Sequence, residues 1–319
     1  MTTTADASVQ LTVERLTGRI GAEIRGVDAA ADLSAETVAQ IRRALVQHRV
    51  GFLRDQRLDY EAQIRFARRF GDLTLGHPTL VSPPDQPHLG EIDSSVGVGA
   101  NFWHTDVTFV DQPPAFSMLR AVVIPALGGD TLWANTVSAY QDLSPELREL
   151  ADRLRIVHTN AQGYSSIAES TDDKTKLFHV LPHDGSVAAH RRQFVSTVYQ
   201  TEHPAVRIHP ETGERSLVLG GFAYNVVGLS PQSSRDVFRL LQDYVTRPEN
   251  TVRWKWRVGD LAIWDNRATQ HYAIHDYGTA HRRGERVTVA GPVPVGVDGR
   301  TSVALRGDAS TYYADGQPA

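Results

Sequence analysis

The chain has 319 residues, a formal charge of -4, 41% hydrophobic and 22% charged residues, and no cysteine. Its size and composition fit one globular unit with a core of its own, and the missing thiols exclude disulfides, thiolate metal sites and cysteine nucleophiles. An acidic balance without a basic patch argues against nucleic-acid and membrane-surface partners; with no signal-peptide pattern and no membrane-length apolar run, a cytoplasmic protein is expected.

A flexible leader over residues 1–8 is expected, and one domain over 9–296. Residues 9–27 read as short strands broken at Gly18, Gly21 and Gly26. Ser34 caps a helix whose Val38, Ile41 and Leu45 recur at helical spacing, and Val50–Leu53 reads as a buried strand. Asp59 caps a second helix, with Phe66 and Phe70 on one side, that stops at Gly71. Two further helices open with Ser-Pro, at Ser144-Pro145 and Ser230-Pro231. The first is expected to bury Leu147, Leu150 and Leu154, and the second Val237, Leu240 and Leu241.

Ala115–Val123, Val206–His209, Ser216–Leu219, Val252–Trp256, Leu261–Trp264 and Arg286–Ala290 read as strands, with Pro210–Gly213 a hairpin turn. Residues 160–200 are polar and irregular and read as a lid-like insert; 297–319 read as a loose tail. The expected fold class is α+β, mainly β, with a double-stranded β-helix (jelly-roll) core flanked by helices.

His104-Thr105-Asp106 sets an imidazole and a carboxylate two residues apart, on one face of an extended backbone. Two histidines and one carboxylate form the ligand set of non-haem Fe(II) oxygenases, and His271 is the candidate third ligand. With 13 His and 37 acidic residues, chance alone gives about 1.5 His-x-acid triplets. The other one here, His209/Glu211, reads as a turn with a solvated glutamate. Arg282 and Arg286, evenly spaced, share a face if their segment is a strand, and two guanidiniums facing one way need anions.

Three segments, WHTDVTF (103–109), GGDTLWAN (128–135) and WDNRATQHYA (264–273), resemble those of the taurine/2-oxoglutarate dioxygenase family, over about residues 10–295. HPT (77–79), TEHP (201–204) and RVTVAGPVPVGVDG (286–299) resemble most the bacterial alkyl sulfate dioxygenases in it. The resemblance implies that His104, Asp106 and His271 hold Fe(II) and make up the catalytic centre. It also implies that 2-oxoglutarate chelates the metal and meets Arg282 and Thr131 at its far carboxylate. With O2, its oxidative decarboxylation to succinate and CO2 then drives substrate hydroxylation.

By the same resemblance, Arg286 and His77 hold the anionic head of a small organic substrate, an alkyl sulfate or a sulfonate. Taurine dioxygenases carry Tyr and Asn where this chain has Leu80 and Ala100. Apolar groups there suit an alkyl chain and leave an ammonium without partners, so alkyl sulfates are expected over taurine. Val107, Tyr164 and Phe222 are candidates for the same channel. His275 is expected in an exposed loop, His158 in the core or behind the ligands, and His179, His183 and His190 in solvent. A carboxylate substrate and a metal-free binding module are the rival readings, and a homo-oligomer, dimer or tetramer, is expected from the relatives.

Overall fold

The computed structural model describes residues 11–96, 100–163 and 186–313. Strands β1 (Thr12–Arg15) and β2 (Ala22–Arg25) pair antiparallel and lead into helix α1 (Ala35–His48). Ser34 Oγ accepts from the Thr37 amide at its start, satisfying one of the free amides of the first turn. Arg49 ends α1 with φ +69° and donates to the Leu45 carbonyl, which turns the chain directly into β3 (Val50–Leu53). Asp59 caps α2 (Tyr60–Arg68) in the same way as Ser34 caps α1.

Strands β4 (Gly90–Asp93), β5 (Phe116–Val123) and β6 (Thr131–Asn135) follow, then helices α3 (Thr136–Gln141) and α4 (Pro145–Arg153). β7 (Arg155–Thr159), β8 (Gln200–Pro204), β9 (Val206–Ile208), β10 (Arg215–Leu217) and β11 (Ala223–Val226) precede the long helix Pro231–Val245. The chain continues through β12 (Thr251–Trp254), β13 (Leu261–Asp265), β14 (Thr269–Ala273), β15 (Arg283–Val289) and β16 (Val303–Arg306).

The strands form a mainly β architecture. A seven-stranded sheet runs β1-β2-β3-β13-β5-β15-β4, antiparallel except for the β2–β3 pair. Sheets of four (β11-β7-β8-β16), three (β12-β6-β14) and two strands (β10-β9) complete it. The period of two along a strand assigns the layers. In β13, Leu261 and Ile263 pack with the α1/α2 side, while Ala262 and Trp264 pack with Trp133 and Trp254 on the other face. β13 is covered on both faces, which explains its unbroken apolar run. In β5, Phe116 and Met118 join the helical side, leaving Ser117 and Leu119 on the opposite face, toward the three-stranded sheet.

Two expectations fail. Leu150 and Leu240 are each 41% exposed, because α4 and the long helix dock through Ala151 and through Ser234, Leu241 and Val245. The 297–313 part of the expected loose tail is packed: β16 adds to β8 as an edge strand, and Tyr312 is 1% exposed in an aromatic cluster with Phe109 and Phe222. His271 follows β13 and lies within β14. The helix Ser186–Phe194 belongs to the lid-like stretch; Tyr164, His179, His183 and the 1–8 leader lie outside the described residues. Among the described residues no helix is long and apolar enough to cross a membrane.

Candidate metal centre and anion cleft

His104 and His271 face each other across a two-residue bridge, exchanging backbone hydrogen bonds of 3.0 and 2.7 Å. That pairing fixes both backbones, and the two rings lie with centroids 4.0 Å apart. His104 Nδ1 donates to the Phe102 carbonyl at 2.9 Å, which leaves Nε2 with its lone pair free. Trp264 packs against His271 at 4.9 Å between ring centroids.

Asp106 is held by a clamp. Asn266 accepts from the Asp106 amide at 2.9 Å and donates to the Asp106 and Pro114 carbonyls, both at 3.1 Å. The next residue, Val107, is buried with φ +56°, a region a β-branched residue rarely adopts, and costs about 1–3 kcal/mol in strain. The turn aims the Asp106 carboxylate at both imidazoles: its Oδ1 stands 3.8 Å from His104 Nε2 and 3.8 Å from His271 Nε2. Ser117 donates to Oδ2 at 2.7 Å and Arg286 to Oδ1 at 2.6 Å.

The three donor atoms lie within 4.8 Å of one another, all on buried residues. Burial pushes the His104 and His271 imidazoles below their usual range, aided by the nearby Arg286. Burial alone would raise the Asp106 carboxyl, but Arg286, the two histidines and Ser117 outweigh it and hold the carboxyl below its usual range. Two neutral imidazoles and one carboxylate are the protonation states a divalent cation requires, so the donor set fits Fe(II) and leaves one side open toward the cleft.

The cleft is a cavity of about 440 Å³. Among the residues expected at the site, His77, Leu80, Ala100, His104, Asp106, Val107, Thr131, Phe222, His271, Arg282 and Arg286 line it, and Tyr164 lies outside the described residues. Arg282 is 6% exposed. Its Nε donates to the Gly129 carbonyl at 2.9 Å and its NH2 approaches Thr131 Oγ1 at 3.5 Å. Among the described residues Arg282 forms no ion pair, and burial lowers its pKa, as expected of a desolvated cation without a counter-charge. A Cβ at Gly129 would stand 3.0 Å from Arg282 Cδ, a tight approach, and the φ of +74° there favours glycine.

Arg286 leaves Nε without a partner, and Asp106 is its sole ion-pair partner among the described residues. His77 Nδ1 accepts the amides of Thr79 and Leu80, both at 3.1 Å. The proton of the neutral ring is therefore on Nε2, and burial with the nearby Arg286 pushes the pKa down to about 3. Leu80, Ala100, Val96 and Phe222 give the cleft an apolar wall.

Other histidines fall differently from the sequence reading. His190, expected in solvent, is half-buried and lines the cleft, because the Ser186–Phe194 helix packs over it. His275 is half-buried against Tyr277, at 4.6 Å between ring centroids. His158, by contrast, is in the core, one of the two places expected of it, and is bonded to Thr108. Glu211 is ion-paired with Arg42 and Arg267 rather than solvated, and His209 buttresses Asp265. Ser117 and Asn266, which orient Asp106, escaped the sequence reading. Ser117 carries no signal beyond its parity on β5; Asn266 sits in the WDNR segment without a chemistry of its own.

The family model for "Taurine catabolism dioxygenase TauD, TfdA family" matches residues 12–288. An alpha-ketoglutarate-dependent sulfate ester dioxygenase of Pseudomonas putida is 51% identical over 95% of this chain and 97% of its own length. An alkylsulfatase of Acinetobacter baylyi is 46% identical over 91% and 88%. The crystal structure of a taurine dioxygenase from Burkholderia xenovorans superposes with a TM-score of 0.78 at 39% identity, covering 95% of this chain and 99% of that one.

Proposed function

This chain belongs to the taurine catabolism dioxygenase TauD/TfdA family, and from that premise we propose that it oxidises alkyl sulfate esters to aldehyde and sulfate at an iron held by His104, Asp106 and His271. It is a 2-oxoglutarate-dependent dioxygenase, like the relatives it matches. We read its opposed sheets as a double-stranded β-helix, with the metal cluster at the mouth. One observation carries the substrate reading. One cleft with an apolar wall has the metal cluster, a buried arginine that forms no ion pair among the described residues (Arg282) and a second arginine with an Nε unpartnered among them (Arg286).

Fe(II), with 2-oxoglutarate and O2, supplies the oxidising power that converts a substrate C–H to C–OH, with succinate and CO2 as co-products. The protein's share is positioning and electrostatics. Arg282 and Thr131 offer N–H and O–H donors to the far carboxylate of 2-oxoglutarate, a charge-assisted contact deep in the cleft. Arg286 supplies a positive charge for the sulfate head. His77, neutral with its proton on Nε2, adds a donor without a second charge. An anion held there aims its adjacent carbon at the metal cluster, while Leu80, Ala100 and Phe222 enclose the chain and exclude water.

Hydroxylation of the carbon bearing the ester oxygen gives a hemiacetal-like sulfate. Its hydroxyl proton is lost, the C–O bond to sulfate breaks, and aldehyde and sulfate leave. A sulfonate is the second reading, since Arg286 accepts either head group; hydroxylation would then release sulfite. Leu80 and Ala100 weigh against taurine, because neither offers its ammonium a polar partner. Succinate release with a medium-chain alkyl sulfate is compared with that on taurine. Turnover on the sulfate ester with release of free sulfate is the expected result; turnover on taurine alone overturns the substrate assignment while leaving the iron site standing.

A further inference from the structure

Away from the cleft, β9, β10 and the 265–269 turn gather a second charged cluster. Arg267 donates to Asp265 from Nε and NH2, both at 2.8 Å, and to Glu211 from NH1 at 2.6 Å. Arg42 pairs with Glu211 and Arg49 with Glu214. His209 accepts the amides of Glu211 and Thr212 at Nδ1 and donates from Nε2 to Asp265.

Arg207, opposite Ser216 in the β9–β10 pair, enters this cluster with 4% exposure. Its Nε is enclosed without a partner, and among the described residues no acceptor meets its other nitrogens. Arg42, Arg49 and Arg267 thus pair with the carboxylates of Asp265, Glu211 and Glu214, and Arg207 stands beside them outside these ion pairs, one positive charge in excess. Burial and the neighbouring Arg267 push the Arg207 pKa down and the Asp265 carboxylate partly offsets them, leaving it at about 10, so Arg207 stays charged at neutral pH. A buried cation without a partner is expensive, and an anion is what relieves it.

A small cavity lies at this point. It measures about 10 Å³ and is lined by Arg207, Arg267, Thr105, Thr108, Thr136 and Asn266 among others. That is room for about one water-sized particle, too little for a sulfate or a carboxylate ligand. We infer that this cavity binds a small inorganic monoanion, of which chloride is the physiological case, between Arg207 and Arg267. The site shares Thr105 with the segment joining His104 and Asp106, where Thr105 donates to the Thr269 carbonyl at 2.7 Å. A bound anion therefore braces the backbone behind the metal cluster without touching the cleft, and the inference does not depend on the substrate reading.

Two measurements on the full chain test it. Crystals soaked in sodium bromide should show an anomalous peak at this cavity. The unfolding temperature of chelator-treated protein should rise with sodium chloride beyond its rise in sodium gluconate at equal ionic strength. In the saturating range the increment is about 2 °C per tenfold chloride. Arg207→Met should abolish the chloride-specific increment and leave the ionic-strength response. No bromide peak, or equal responses to chloride and gluconate in the wild type, overturns the site whether or not the variant folds.

Discussion

Ser117→Ala is the sharpest test of how the fold prepares its metal ligands. Ser117 is fully buried on β5, with its hydroxyl 2.7 Å from Asp106 Oδ2. Removing it leaves that oxygen without a donor inside the protein and frees the carboxylate to rotate away from the two imidazoles. A hydrogen bond to a charged group contributes about 1.5–3 kcal/mol, and loss of such a supporting partner lowers metal affinity about 10- to 100-fold. Calorimetric titration with Co(II), which avoids oxidation during the measurement, should show that drop, with Ser117→Thr restoring most of the affinity. An affinity within about twofold of wild type, in a variant that keeps its unfolding temperature, would refute the idea that Ser117 orients the ligand.

Three other outcomes follow from the same geometry. Arg282→Ala should raise the 2-oxoglutarate concentration needed for half-saturation by about 100-fold, since a charge-assisted contact in a buried site is lost; an unchanged requirement moves that role to another residue. Leu80→Tyr with Ala100→Asn should bring sulfite release from taurine and slow turnover of alkyl sulfate, measured side by side; no gain on taurine contradicts the specificity argument. Metal-free protein should lose stability as pH falls below 6.5. His77 and His203 keep their neutral forms down to about 3 and His158 is lowered likewise, whereas the unfolded chain takes up protons from 6.5 downward. Each contributes up to about 1.4 kcal/mol per pH unit inside that window, and an unfolding temperature constant from pH 7 to 5 would contradict it.

Much of the scaffold was legible because local chemistry decided it. Ser34, Asp59, Ser144 and Ser230 cap helices where their side chains satisfy free amides, and β13 shows the continuous apolar run of a doubly covered strand. The His104–Asp106 pair was legible from its spacing. Its completion by His271 rests on a long-range bridge that periodicity does not encode. Helix orientation was less readable: Leu150 and Leu240 keep helical spacing yet face solvent, since the docking face is set by what lies beneath. The packed end of the chain escaped for a similar reason. β16 is a four-residue, solvent-exposed edge strand too short to show a pattern, and Tyr312 contributes one large buried ring that a four-residue helix cannot announce. Strain at Val107 is invisible in sequence because the surrounding turn imposes it.

The central claim is oxidative cleavage of a sulfate ester at the His104/Asp106/His271 centre, and product labelling under isotopically heavy O2 tests it most directly. With a medium-chain alkyl sulfate, heavy oxygen should enter succinate and the aldehyde, trapped by immediate reduction, while the released sulfate stays unlabelled and matches succinate in yield. Sulfate released without O2 consumption, or sulfate that itself carries the label, would contradict the mechanism.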